Sequence, residues 1–151
     1  MSEVVATGEA MREFGARVAG LLAPGDLVVL SGPLGAGKTT LVQGLAEGLK
    51  VRGPITSPTF VIARVHPSLC GGPPLVHVDA YRLQGGLEVD DLDLDASLEE
   101  SVTVVEWGEG LVEGLADDRL EVRIERREVD EERVVHVRGV GARWAGVQPL
   151  A

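Results

Sequence analysis

Two stretches of the chain repeat apolar residues at the spacing of an amphipathic helix. They are "GEAMREFGARVAGLL" and "KTTLVQGLAEGL", and charged residues fall mostly on the opposite side of the first one. Thr7 stands where the first helix would be N-capped. The sequence therefore predicts two helices. Their buried positions are expected to be Met11, Phe14, Val18, Leu21 and Leu22 in the first and Leu41, Val42, Leu45 and Leu49 in the second.

Several shorter apolar runs predict a sheet. The runs "DLVVL", "LVHVD" ending at Asp79 and "VTVVE" ending at Glu106 are typical of parallel strands that are covered on both faces. The segment "GPITSPTFVIARVH" predicts a loop and then a strand, whereas "RLEVRIERREVDEERVVHVRG" alternates apolar and charged residues like an antiparallel hairpin with one solvated face. This order predicts an α/β fold: a mainly parallel sheet flanked by helices, with a C-terminal antiparallel hairpin.

Length and composition limit the class of protein. The chain has 151 residues and no internal repeat or linker, which predicts a single domain over residues 1–151. It shows no signal-peptide pattern and no apolar run long enough to span a membrane, and its one cysteine excludes an intrachain disulfide, so we expect a cytoplasmic protein. A formal net charge of -10 argues against a broad nucleic-acid-binding face.

The stretch "SGPLGAGKTT" has the spacing of a phosphate-binding loop, and it stands between a predicted strand and a predicted helix. The predicted α/β fold is therefore of the kind found in phosphate-loop NTPases. Gly32, Gly35 and Gly37 allow the backbone to approach a ligand closely and to point successive N–H groups at phosphate oxygens. Lys38 supplies a charge for the β- and γ-phosphates, and the Thr39 hydroxyl is placed to ligate Mg²⁺. The residues predicted to bind the nucleotide phosphates are Gly32, Pro33, Leu34, Gly35, Ala36, Gly37, Lys38, Thr39 and Thr40.

Two acids follow buried strands, where ligands of parallel sheets bind. Asp79 is the usual second element of a magnesium site, with a helix N-cap or a surface acid as the alternative. Glu106 could ligate Mg²⁺ or orient the attacking water, with a surface salt bridge as the alternative. Thr59, in "TSPTF", could sense the γ-phosphate or belong to a rigid turn. His77, on the strand that ends at Asp79, is expected to be packed or to face a partner.

The residues alone leave three classes of nucleotide-binding protein open. A GTPase is excluded because its guanine-recognition element needs an Asn and the chain has none. A small-molecule kinase would need an acceptor pocket and an arginine-bearing lid; Arg64 and Arg82 are available, but no Arg-rich insertion of lid length is present. An ATPase, a small-molecule kinase and a nucleotide-gated binding module with little turnover therefore all remain.

Four motifs in combination narrow this choice. "GPLGAGKTT", "SPTF", "HVDAYRL" and "VVEWGE" occur in the order and spacing of the bacterial TsaE family, also called YjeE, and the chain resembles that family over nearly its whole length, least from about Val129 onward. The resemblance implies a small ATPase that uses ATP and Mg²⁺. It also implies an accessory role with TsaB and TsaD in forming threonylcarbamoyladenosine in tRNA, with the tRNA contacted only through the complex.

The resemblance also implies roles for individual residues. Lys38 would grip the phosphates, Thr39 and Glu106 would hold Mg²⁺, and Asp79 would support the metal and the water. The catalytic set is then Lys38, Asp79 and Glu106, and the metal set is Thr39, Glu106 and Asp79. The other residues implied to lie near ATP are Trp107 beside the nucleotide, Thr7 and Gly8 near the adenine, and Arg133 after the hairpin turn.

Overall fold

Seven strands and two α-helices make up the described part of the chain. The computed structural model describes residues 2–32, 37–51, 63–79, 100–106, 118–126 and 132–144. The helices are α1 (Gly8–Ala19) and α2 (Lys38–Leu49), and a 3₁₀ turn covers Ala142–Trp144. The strands are β1 (Ser2–Val5), β2 (Leu27–Ser31), β3 (Ala63–His66), β4 (Leu75–Asp79), β5 (Val102–Glu106), β6 (Arg119–Arg126) and β7 (Arg133–Val140).

The described strands form one mixed sheet in the order β1-β7-β6-β2-β5-β4-β3. β2 pairs in parallel with β5 and β6, and β4 pairs in parallel with β5. β7 is antiparallel to both β6 and β1, so β1 runs in the same direction as β2. Five strands therefore end at one edge, which we call the carboxyl edge. The predicted α/β fold with a mainly parallel sheet and a C-terminal hairpin is confirmed.

Three local details differ from the predictions or add to them. The stretch "SEVV" forms β1 although its apolar content is too low to predict a strand, because β7 offers it a backbone edge to pair with. The hairpin is part of the main sheet, since β6 pairs with β2 as well as with β7. Helix α1 ends at Ala19, so Leu21 and Leu22 lie beyond it, although both still pack against the core.

Helices α1 and α2 cross so closely that their backbones are in contact at two glycines. A Cβ added to Gly15 would lie 2.1 Å from the Leu41 carbonyl oxygen, and one added to Gly44 would lie 1.9 Å from the Arg12 carbonyl oxygen. Glycine is required at both positions because any side chain would overlap the facing backbone. Both helices begin at the carboxyl edge, since each follows a strand that ends there. The crossing therefore holds the two helix N-termini close together.

The helices bury one face of the sheet. Alternate residues of the central strands, such as Val28 and Leu30 on β2 and Val104 on β5, join the helices in one apolar cluster. Burial of this kind stabilises the fold by about 25 cal/mol for each Å² of apolar surface removed from water. Within the described ranges, no helix is both long enough and apolar enough to cross a membrane.

A buried acid fixes the 3₁₀ turn to the rest of the domain. Asp26, 6% exposed, accepts a hydrogen bond from the backbone N–H of Ala23 at 2.7 Å. Arg143 donates to both carboxylate oxygens of Asp26 at 3.1 Å and to the Leu21 carbonyl at 3.0 Å. Its guanidinium also lies 4.3 Å from the ring centroid of the buried Trp144. The segment "ARWAGVQPLA" predicted no defined element because this anchor depends on residues more than a hundred positions away.

We expect Arg143→Ala to lower the free energy of unfolding by about 1–2 kcal/mol, because the Asp26 carboxylate would lose two donors while staying largely buried. The guanidinium is about one-third exposed, which keeps the loss moderate. Urea unfolding followed by circular dichroism measures it. Arg138→Ala is the control. The Arg138 side chain is 77% exposed and its contact with Glu121 is long, at 4.0 Å, so this variant should lower the free energy of unfolding by less than about 0.5 kcal/mol. Equal losses in the two variants would contradict the anchoring role.

Candidate nucleotide-binding site

Three neighbouring strands bring the predicted loop and acids together at the carboxyl edge. Strand β2 ends at Ser31, directly before Gly32. On β5, Glu106 is in register with Leu30 of β2 and with Asp79 of β4. Because adjacent strands are about 4.8 Å apart, the backbones of these positions lie side by side. The backbones of Gly32, at the start of the predicted loop, and of Asp79 and Glu106 therefore lie at one edge; the Asp79 side chain lies outside the described part.

The phosphate loop is described at its two ends. Gly37 has φ +105°, a backbone conformation that side chains disfavour, and it is the N-cap of α2. The first helical residue, Lys38, is only 7% exposed, and its Nζ donates a hydrogen bond to the Gly32 carbonyl oxygen at 2.6 Å. The ammonium thus reaches from the end of the loop back to its start. The intervening predicted residues, 33–36, lie outside the described residues.

The two helix N-termini at this edge differ in how they are capped. In α1, the Thr7 hydroxyl oxygen accepts a hydrogen bond from the Ala10 N–H at 3.0 Å, and Glu9 adds an acid to the first turn. In α2, Gly37 offers no side-chain cap, and the first turn contains no acid. The positive end of a helix dipole attracts an anion where no carboxylate already occupies it. A phosphate group is therefore favoured at α2, where Thr39 and Thr40 also lie.

Glu106 lies on the helix-covered face of the sheet, in contact with a buried histidine. The Glu106 side chain is largely buried and that of His77 is fully buried, and His77 Nε2 lies 2.5 Å from Glu106 Oε2. The contact arises because His77 is in register with Val104, two residues before Glu106, so the two side chains are diagonal neighbours on adjacent strands. The sequence predicted a packed or partner-facing His77, and the packed alternative is confirmed. The contact with Glu106 was missed because it depends on the register of two distant strands.

Three of the residues expected near ATP, namely Thr7, Gly8 and Arg133, lie at the same edge. Thr7 and Gly8 follow β1, and Gly8 lines an open cleft of about 630 Å³ between α1 and α2 together with Thr40. Met11, in the first turn of α1, has its Cε 3.3 Å from the position of a Cβ on Gly37. Arg133 opens β7, with only β6 between it and β2. Thr59 and Trp107 lie outside the described residues.

The donors that the structure describes suit a hard divalent cation. Magnesium prefers oxygen ligands and usually keeps several water molecules, so few protein side chains are needed. The Thr39 hydroxyl and the Glu106 carboxylate supply oxygen donors at the carboxyl edge. Among the described residues, no three His, Cys, Asp or Glu side chains form a cluster that would hold a metal by themselves. The arrangement fits a cation that is shared between protein, water and a phosphate ligand.

A second cavity of about 300 Å³ lies on the opposite face of the sheet. Apart from Val122, its side chains on β2 and β6 alternate with the core residues of those strands. Its charged groups are partly paired, as Glu121 is with Arg119 at 3.1 Å. It is lined by Val29, Ser31, Glu121, Val122, Arg123, His136 and Arg138. The cavity contains none of the described loop glycines, Lys38 or Glu106, so the described residues that are predicted to bind phosphate or Mg²⁺ do not line it.

Comparison with known proteins agrees with this arrangement. The family model described as "Threonylcarbamoyl adenosine biosynthesis protein TsaE" matches residues 5–135. A tRNA threonylcarbamoyladenosine biosynthesis protein TsaE from Streptomyces coelicolor is 69% identical over 139 residues, covering 89% of this chain and 94% of that protein. The protein of the same name from Bacillus subtilis is 41% identical over 122 residues, covering 80% and 74%.

A solved structure extends the agreement to three dimensions. The crystal structure of Bacillus subtilis YdiB superposes with a TM-score of 0.76 at 33% identity, over 96% of this chain and 88% of that one. The fold, the motifs and the relatives all lead to one assignment. The chain belongs to the TsaE family of threonylcarbamoyl adenosine biosynthesis proteins.

Proposed function

We propose that this chain is a Mg²⁺-dependent ATPase that serves as an accessory factor of the TsaB–TsaD pair in forming threonylcarbamoyladenosine in tRNA. The observation that carries the ATPase proposal is the position of Lys38. It is buried at the uncapped N-terminus of α2, with its ammonium 2.6 Å from the carbonyl at the start of the glycine loop. The pathway comes from the relatives, which bear the name of threonylcarbamoyladenosine biosynthesis.

In the proposed mechanism, binding of the phosphates depends on charge and position. Lys38 would exchange its contact with the Gly32 carbonyl for oxygens of the β- and γ-phosphates. The N-terminal end of α2 adds a positive potential at the same place. Phosphoryl transfer needs little covalent chemistry from the protein, so positioning and charge stabilisation account for most of its catalytic contribution.

The carboxylates would handle the metal and the water. Thr39 and Glu106 would hold Mg²⁺, with Asp79 supporting the metal and the attacking water from the neighbouring strand. When bound, Mg²⁺ supplies positive charge to the phosphate oxygens on which negative charge develops. Glu106 is 5% exposed, so its charge acts in a largely water-excluded place where electrostatic interactions are stronger.

The remaining contacts are proposed around the base and the γ-phosphate. No atom of the described residues lies within 4 Å of the position of a Cβ on Gly8, which leaves an open surface beside Thr7 for the adenine. Arg133 would reach ATP from the start of β7, Thr59 would sense the γ-phosphate, and Trp107 would pack near the nucleotide. A net charge of -10 is compatible with a cytoplasmic protein that leaves the grip on tRNA to its partners.

The test is ATP turnover by the purified chain with Mg²⁺, alone and with its cognate TsaB and TsaD. We expect turnover to rise sharply only when both partners are present, because they would complete the site. ATP turnover that is the same with and without TsaB and TsaD would contradict the accessory role. Turnover that appears only with a small hydroxyl acceptor would indicate a kinase, and ATP binding without turnover in the full complex would indicate a binding module.

Replacing Glu106 should lower ATP turnover much more than it lowers ATP affinity. We expect Glu106→Gln to reduce turnover about 100-fold, in the range seen when one preorganised charge-stabilising group is lost. ATP affinity, measured by calorimetry, should fall less than in Lys38→Ala, because the loop and the ammonium remain. Glu125→Gln, at a side chain that is 48% exposed on β6, is the control and should leave both quantities unchanged. Equal losses of affinity and turnover in Glu106→Gln would instead indicate a structural role.

A further inference from the structure

His77 is a polar residue in an otherwise apolar position. Its neighbours Leu75, Val76 and Val78 on β4 are all buried, and the His77 side chain itself is fully buried. Within the described part of the chain, the imidazole makes one polar contact: Nε2 lies 2.5 Å from Oε2 of Glu106. Its other nitrogen, Nδ1, is buried without a hydrogen-bond partner there.

Packing does not account for this histidine. Burying a polar nitrogen without a hydrogen bond destabilises a fold, whereas a valine at the same place would continue the pattern of the strand. The imidazole also stands on the helix-covered face, in register with the apolar Val104. The contact with Glu106 is the feature that an apolar residue could not reproduce.

The direction of the hydrogen bond follows from the chemistry of the two groups. A carboxylate oxygen accepts hydrogen bonds, so in the arrangement inferred here the N–H at Nε2 of His77 donates to Oε2 of Glu106. This bond occupies Oε2 and leaves Oε1 as the second carboxylate oxygen. Both residues sit on adjacent parallel strands in fixed register, so the donor does not depend on a loop for its position. Side chains fixed in this way by a neighbour are held closer to one geometry than freely rotating ones.

We propose that His77 is a positioning residue that holds the Glu106 carboxylate in the orientation needed for ATP hydrolysis. The inference rests on the proposed function, because it assigns His77 a role in the same site. His77 acts through Glu106 and does not touch the nucleotide. Groups that orient a metal-binding side chain typically change metal affinity or activity about 10- to 100-fold when they are removed.

Two amide variants of His77 distinguish a role in positioning Glu106 from a role in packing alone. The side-chain nitrogen of glutamine reaches about as far as Nε2, whereas that of asparagine stops near the place of Nδ1. Both variants bury a primary amide, so His77→Gln and His77→Asn are matched in polarity. In the complex with TsaB and TsaD, we expect His77→Asn to lower kcat at least about tenfold while KM for ATP stays within about threefold. His77→Gln should keep most of the wild-type kcat, and thermal unfolding should confirm that both variants are folded.

The outcome that would overturn the proposal is equal kcat in the two folded variants, whether both are active or both are impaired. A loss that appears in KM and not in kcat would also overturn it. If His77→Asn does not fold, His77→Gln alone decides: a folded glutamine variant with strongly reduced kcat contradicts the positioning role, and wild-type kcat supports it.

A second readout does not depend on ATP hydrolysis. In the free chain labelled with ¹⁵N-histidine, the Nε2 proton of His77 should give a downfield NMR signal that shifts upfield in Glu106→Gln. Absence of that signal from the wild-type chain would overturn the contact and the proposal, even if the chain is an active ATPase. Conversely, if the signal behaves as expected but the complex hydrolyses no ATP, the proposed function has failed while the contact between the two side chains stands.

Discussion

Lys38→Ala should lower ATP turnover in the TsaB–TsaD complex by about 100-fold or more, by analogy with the loss of a donor that stabilises transition-state charge. The ammonium is nearly buried at the loop and donates to the Gly32 carbonyl, so no other group of the described loop can replace its charge. ATP affinity should fall as well, because the ammonium would contact the phosphates before and during hydrolysis. Steady-state turnover and calorimetric titration with ATP measure the two effects.

The chain supplies its own control for this variant. It contains two lysines, and the second, Lys50, is exposed at the other end of α2. Twelve helical residues span about 18 Å, so Lys50 is far from the phosphates. Lys50→Ala removes the same charge from the chain and should leave turnover and affinity unchanged. Normal turnover in Lys38→Ala, or an equal loss in Lys50→Ala, would contradict the assignment of the phosphate site.

Gly44→Ala should destabilise the fold by about 1–3 kcal/mol or more, the usual cost of forcing atoms into a packed core. The added Cβ would lie 1.9 Å from the carbonyl oxygen, 2.6 Å from the carbonyl carbon and 2.8 Å from the Cα of Arg12. All three are backbone atoms, so no side chain can rotate away. The helices would have to separate, which loosens the contacts of Phe14 and Leu45 in the core.

Urea unfolding of Gly44→Ala and of a matched variant, Gly8→Ala, tests this expectation. Gly8 lies in the first turn of α1, and no atom in the described part of the chain is within 4 Å of the position of an added Cβ. Alanine there should leave the free energy of unfolding unchanged or raise it by up to about 1 kcal/mol, since it restricts the unfolded chain. A Gly44→Ala variant within about 0.5 kcal/mol of wild type would show that the helices can separate at little cost.

The features that could be predicted from the sequence are those that neighbouring residues specify. The loop, α2 and the acids at the ends of β4 and β5 are each specified by adjacent residues, so their common edge follows from the rules of parallel sheets. Strand β1 and the contact between His77 and Glu106 depend on pairing and register between distant segments, which no local pattern contains. The positions of Thr59 and Trp107 stay predictions.

The crossing of α1 and α2 could be predicted from the sequence only in part. Gly15, Gly44 and Gly48 stand inside helices, where glycine is less favourable than alanine by about 1 kcal/mol. Such interior glycines have a packing reason, and here it is the close approach of the two backbones. Their positions could have indicated a close helix contact, but not which helix would be the partner.

The unequal exposure of the two lysines has a practical consequence for chemical labelling. Reagents that acylate primary amines react with accessible, deprotonated amines, and Lys50 is exposed whereas Lys38 is 7% exposed. A fluorophore or biotin attached to Lys50 would sit beyond the last turn of α2, where the Lys50 carbonyl accepts a hydrogen bond from the Leu69 N–H. Such a conjugate could be immobilised with its nucleotide site facing away from the support.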